Sequence, residues 1–286
     1  MAAKTEATID APGVSRLRQI PWWALILAAS GSFVLYLILS DANYRDTFLF
    51  LKDGVVVTLR ITFMAFPIAT AIGLIAGLMR TSKNVFFYTL ATLYVEVIRG
   101  IPMVVLVLMI AFAIVPLVVD LVRSFGIWGV SQFGAPALGG FFERSSAFNI
   151  RSISMELRFV AAIAIGYGAF EAEVFRAGIQ SISRGQMEAA RSLGMSYFQA
   201  MRFIILPQAI RRVLPPLGND FIAMLKDSSL ATVLAVNELT QLTRLRRSST
   251  FRVMEAFNVA AFLYLSMTLL LSAGVRLLEQ RMRIEE

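Results

Sequence analysis

Apolar and polar positions fall along this chain in long blocks. Stretches of about twenty apolar residues recur, separated by shorter polar ones. Residues 21–40 (PWWALILAASGSFVLYLILS) carry no charge at all. A helix of that length spans the ~30 Å hydrocarbon core of a bilayer. Residues 54–79 form a second block, broken only by Arg60, with Pro67 inside and Gly73 and Gly77 spaced for close helix contact. A third starts near Val85, carries Glu96 and Arg99, and runs on uncharged through residues 100–119; Pro102 and Pro116 predict a kink or break. Further blocks occupy residues 156–182, 210–236 and 256–275, the fifth opened by Pro215 and Pro216. The pattern predicts an all-α polytopic transmembrane bundle of about six membrane helices.

The stretches between blocks are read as connections. Residues 1–20 form a polar tail, and 21–40 an extra first helix, retained because its apolar run exceeds a signal peptide's and no small-x-small site follows before Asp41. Trp22 and Trp23 fit an interfacial belt. Residues 41–53 read as an exposed link and 237–251 as a short loop bearing Arg244, Arg246 and Arg247. Residues 120–155, rich in Gly, Ser, Pro and Arg, read as an insertion-bearing loop. Glu96 and Arg99, three apart, would share a helix face and pair.

Composition narrows the chemistry. The 286 residues are 57% hydrophobic and 16% charged, against about 25% charged in a soluble domain. The chain has no cysteine and no histidine. That excludes disulfides, thiolate nucleophiles, thiolate or imidazole zinc sites and imidazole acid–base catalysis. The net charge of +8 is spread over short connections, so it suits loops facing anionic lipid and not nucleic acid. No GxxxxGK[ST] phosphate loop occurs, so any ATP and magnesium must be bound by a separate subunit, with no cofactor in this one.

One polar, basic island stands apart: residues 183–208, centred on EAARSLGMSYFQAMRFIILP. Ser183 with Gln186, and Ser196 with Gln199, have the form of capping boxes. Gly194 lies where a helix would stop in the left-handed conformation, and Pro207 would close the second helix. The pattern predicts a helix–glycine–helix hairpin on the membrane face. Glu188-Ala189-Ala190, three residues, Gly194, nine residues, Ile204, one residue, then Leu206-Pro207 resembles the EAA loop of ABC importer membrane subunits. Arg99-Gly100-Ile101-Pro102, Ala172 to Ile179 (AEVFRAGI), Leu225 to Leu230 (LKDSSL) and Glu238-Leu239-Thr240 are similar to the polar-amino-acid branch of that family. The resemblance covers residues 50–284, within a permease domain spanning 21–286. It implies that Glu188, Ala189, Ala190, Arg191, Gly194, Leu206 and Pro207 couple the chain to an ABC ATPase. It further implies a second permease subunit, identical or homologous, a solute-binding protein outside and a small polar amino acid as cargo. Hairpin and both termini would be cytoplasmic in a bacterial inner membrane, an orientation that the Lys and Arg distribution favours narrowly.

Six membrane-embedded polar residues are candidates for the substrate pathway: Glu171, Glu173, Asn219, Asp220, Lys226 and Asp227. A charge inside a span costs about 2.5–3.5 kcal/mol on insertion scales, so it faces a bundle interior or a wet cavity. Glu173 could instead pair with Arg176, and Lys226 and Asp227 with a neighbouring helix. Glu171 and Asp220 have no obvious partner within a helical turn. The family more often has an apolar residue at Glu171, tyrosine at Phe170 and glutamine at Leu106. Gly166, Gly168 and Gly178 read as helix-packing positions. A secondary transporter or channel, an importer of another polar solute, and a membrane-embedded Asp/Glu/Lys enzyme stay open.

Overall fold

A computed structural model describes residues 22–134 and 137–282. The tail at 1–20 and Pro21 lie outside the described residues. Among those described there are helices and turns and no strand. Helix α1 (Trp22–Ser40) is followed by α2 (Ala42–Arg80), with only Asp41 between them. The exposed link expected at 41–53 is therefore helix. Asp41 makes the turn abrupt: its side chain accepts from the amides of Asn43 and Tyr44, capping α2 at its first residue.

The third block is one helical path with two interruptions. α3 (Val85–Gly100) stops at Ile101 and Pro102, both extended, and α4 (Met103–Met109) resumes. A π-helical turn at Ile110–Ile114 leads into α5 (Val115–Phe133). Pro116 thus breaks no helix. The π turn redirects the amide of Val115 to the carbonyl of Ile110, so the ring follows a locally widened ladder. Pro207 behaves alike: α9 (Tyr197–Ala200), a π turn at Met201–Ile205 and α10 (Leu206–Asp227) are continuous. The expectation that Pro207 closes the second helix is wrong, because the proline occupies the first turn of α10, where its missing amide is tolerated. Pro215 and Pro216 lie inside α10 and do not open it.

Residues 120–155 are mostly helical as well. α5 runs on to Phe133, and α6 (Phe141–Ser146) folds back on it over Gly126 and Gly129. The stretch 237–251 is α11 (Leu239–Thr250), capped by the fully buried carboxylate of Glu238, which accepts from the amides of Thr240 and Gln241 and the hydroxyl of Tyr264. Burial pushes that carboxyl above its ordinary range, and the three donors hold it back. The remaining helices are α7 (Met155–Gln180), α8 (Arg184–Ser192) and α12 (Val253–Met282).

α7 is the central strut, with 14 of its 26 residues buried. α2 lies parallel to it: Arg60 meets Glu156 at 2.5 Å at one end, and Gly73 and Gly77 meet Glu171 and Phe175 further along. A Cβ on Gly73 would stand 2.7 Å from the Cβ of Glu171, so glycine is what permits this approach. α10 runs antiparallel, with Gly178 against Val213 and Tyr167 against Asp227. Gly166 and Gly168 pack against Met103 and Ile72. Ile61, Leu106, Phe159, Ile163, Met224 and Leu234 form the shared core.

Among the described residues, four segments are long and apolar enough to cross a membrane: α1, α2, α4 through α5 (Met103–Phe133) and Val253–Leu278 of α12. α7 and α10 hold the fourth and fifth expected crossings, but their embedded charges leave them outside that apolar set. α1 is peripheral; it leans on α2 and α12 through Val34 and Ile38, and Trp22, Trp23 and Phe33 are exposed.

Candidate functional site

The hairpin is built by its own backbone. α8 ends in a Schellman pair: the amide of Gly194 bonds the carbonyl of Arg191 at 3.0 Å, and that of Met195 the carbonyl of Ala190 at 3.2 Å. This geometry puts Gly194 at φ +83°, the left-handed region. Ser196 and Gln199 then close a full capping box, at 3.2 and 2.8 Å. Ser183 and Gln186 do not. The Ser183 carbonyl takes the Gln186 amide in a tight first turn, and the Ser183 hydroxyl oxygen accepts from Gly185 instead.

Ala190 is buried and anchors α8, while Glu188, Ala189 and Arg191 face outward. Leu193 is 83% exposed at the tip, and Tyr197 and Phe198 are exposed beside it. Leu206 is half-buried and Pro207 exposed, both beyond the hairpin at the start of α10. The tip is a rigid, mixed polar and apolar surface; Leu193 and Phe198 are residues whose burial a partner would favour.

The six embedded candidates separate into three groups. Glu173 lies in an arginine cluster: Arg80 bonds it, Arg176 reaches it at 2.7 Å and Arg99 at 3.4 Å. Arg80 also meets Glu96 at 3.4 Å. The pairing expected between Glu96 and Arg99 is not formed, because each finds a partner on another helix. Asn219 and Lys226, seven apart on α10, are both exposed.

Glu171, Asp220 and Asp227 form the third group, gathered around Tyr167. The Tyr167 hydroxyl donates to Asp227 at 2.8 Å. Glu171 is fully buried, and neither carboxylate oxygen has a hydrogen-bond partner among the described residues. The Asp220 carboxylate is close enough for its charge to act on Glu171, and one of its oxygens is likewise without a partner. Thr70, one turn from Gly73, brings its hydroxyl toward the Glu171 carboxylate, just outside hydrogen-bond geometry. A desolvated ionised carboxylate is costly until a cation or a donor joins it. The arrangement suits a positively charged group.

Tyr167 and Thr70 were not singled out from the sequence. Tyr167 stands four residues before Glu171, a one-turn spacing that could have flagged it; nothing local marks Thr70. Arg158 was missed too. It is buried, and its guanidinium donates to the carbonyls of Ile150 (3.0 Å), Ile153 (3.2 Å) and Ala111 (3.3 Å). Pro116 has no amide to offer Ala111, and Val115 has turned to Ile110. Arg158 supplies the missing donor.

Comparison with known proteins gives the class. A family model described as binding-protein-dependent transport system inner membrane component matches residues 69–284. The probable glutamine ABC transporter permease protein GlnM of Bacillus subtilis (strain 168) is 38% identical, over 83% of this chain and 95% of that protein. The glutamine transport system permease protein GlnP of Escherichia coli (strain K12) is 36% identical, over 82% and 93%. A crystal structure of an amino acid ABC transporter with histidines aligns with a TM-score of 0.66 at 37% identity, over 85% of this chain and 98% of that one. An inward-facing MetNI methionine ABC transporter structure, at 18% identity and a TM-score of 0.59, shares the fold. The chain therefore belongs to the family of binding-protein-dependent transport inner-membrane components. It is a membrane-spanning permease subunit of an ABC importer, and ATP hydrolysis belongs to a separate subunit.

Proposed function

We propose that the chain translocates a polar amino acid of the glutamine type, driven by an ATPase that docks on residues 183–208. The relatives at 36–38% identity are named glutamine permeases, which supports the cargo class. The observation that carries the coupling role is the hairpin tip: a backbone-locked turn at Gly194 with Leu193, Glu188 and Arg191 exposed around it. On this reading the tip is cytoplasmic, as are both termini. A second permease subunit completes the pathway, and a solute-binding protein delivers cargo from the other face.

The cargo's ammonium meets Asp220 first and Glu171 behind it, since Asp220 is half-buried and Glu171 is sealed. The test is uptake by Asp220→Asn and Glu171→Gln variants in vesicles that also contain the ATPase. Losing a hydrogen bond to a charged group, about 1.5–3 kcal/mol, should weaken the concentration dependence roughly tenfold or more for Asp220→Asn, and less for Glu171→Gln. Unchanged uptake by both assembled variants would assign the two carboxylates to helix packing.

A further inference from the structure

A cavity of about 620 Å³ opens where the hairpin meets the ends of α2 and α7. Arg80, Thr81, Gln180, Ser183, Arg184 and Tyr197 supply the polar part of its lining, and no carboxylate among the described residues lines it. Ile179, Ile182, Met187, Met201 and Ile205 supply the apolar part of its lining. Arg80 has a side chain only 10% exposed, and its Nε has no acceptor among the described residues, although its terminal nitrogens serve Glu173 and Glu96. The cluster behind the cavity sets Arg80, Arg99 and Arg176 against Glu173 and Glu96, leaving one positive charge in excess. Arg184 adds another at the first residue of α8, the positive end of that helix's dipole. It has no ion pair among the described residues.

We propose that this cavity binds a phosphate-bearing anion, and that its occupant is the headgroup of an anionic phospholipid from the leaflet on the hairpin side. Two arginines, Arg184 among them without an ion pair among the described residues, line the cavity together with hydroxyls and the first residue of a helix, the donors that phosphate sites use. The choice of lipid rests on the apolar part of the lining, which has no use for inorganic phosphate but suits the glycerol and upper acyl carbons beneath a headgroup. Basic pockets on the cytoplasmic side of membrane helices recognise anionic headgroups. An occupant here would tie the end of α2 to the start of the hairpin.

The test is native mass spectrometry of the full-length permease, with phosphatidylglycerol competing against phosphatidylcholine, and with inorganic phosphate alone as a separate arm. The expected result is one phosphatidylglycerol retained per chain. Retention should fall about tenfold in Arg184→Gln and largely return in Arg184→Lys. Met187→Glu, which places a carboxylate in the cavity lining, should lower retention even if Arg184→Gln fails to fold. Saturable phosphate binding with no preference for the anionic lipid would keep the anion site and overturn the lipid assignment. No preference for either anion, or full retention by both charge variants, would overturn the site.

Discussion

Gly194 allows the proposed coupling hairpin to be perturbed without touching its neighbours. Its φ is +83°, and a Cβ placed there would meet nothing within 4 Å. A substitution therefore costs backbone conformation alone, with no steric term from packing. An L residue in the left-handed region costs about 1–2 kcal/mol, with Asn tolerating it best. Such a cost shifts the balance between the turned and unturned hairpin by a factor of about 5–30. β-branched side chains are stiffer still. The expected series in vesicles containing permease and ATPase is Gly194→Asn close to wild type, Gly194→Ala weaker and Gly194→Val weakest. The readout is amino acid taken up per ATP hydrolysed, with unfolding temperature measured alongside. Because the tip is exposed, the unfolding temperature should hardly move. Equal coupling by the Val and Asn variants would refute the claim that a fixed left-handed turn presents the docking surface. A strong defect in Asn alone would place the constraint on close approach of the partner and not on the backbone.

Two other outcomes follow from single features of the fold. Arg158→Met should leave the carbonyl of Ala111 without a donor, at about 1–3 kcal/mol for an unsatisfied buried group. Thermal unfolding should show the loss, and adding Pro116→Ala, which restores an amide, should recover part of it; no recovery would contradict the π-turn explanation. Deleting residues 1–40 should reduce membrane insertion or assembly with little change in apparent substrate affinity, since α1 is peripheral and uncharged; a large affinity change in uptake assays would place α1 on the pathway.

Apolar block length marked α1, α2, α7 and α12 to within a few residues at most ends. It failed where helices are not uniformly apolar. α11 is twelve residues long, carries Arg244, Arg246 and Arg247 among mostly polar neighbours and buries only Leu239 and Thr243, so it has no membrane-length signal. α6 is six residues long and gains its burial from glycines on α5, a contact invisible in its own sequence. Asp41, expected as the first residue of an exposed link, instead caps α2.

The hairpin was readable because its contacts are local: Ser196 with Gln199, Gly194 with Arg191, all within five residues. The charge partners were not, because Arg80 reaches Glu173 and Arg99 also reaches Glu173 across more than seventy residues. Helical spacing offered Glu96–Arg99, and packing chose otherwise. Glu171 and Asp220, left without a helical-turn partner in the sequence, also have carboxylate oxygens without a hydrogen-bond partner among the described residues.

The most direct test of the coupled-permease assignment is energisation. Purified permease would be placed in vesicles alone, or with its ATPase and binding protein, and glutamine uptake followed with ATP inside or with an imposed proton or sodium gradient. The expected result is uptake only with the ATPase and hydrolysable ATP, and none from the permease alone under either gradient. Gradient-driven accumulation by the permease alone would contradict the assignment.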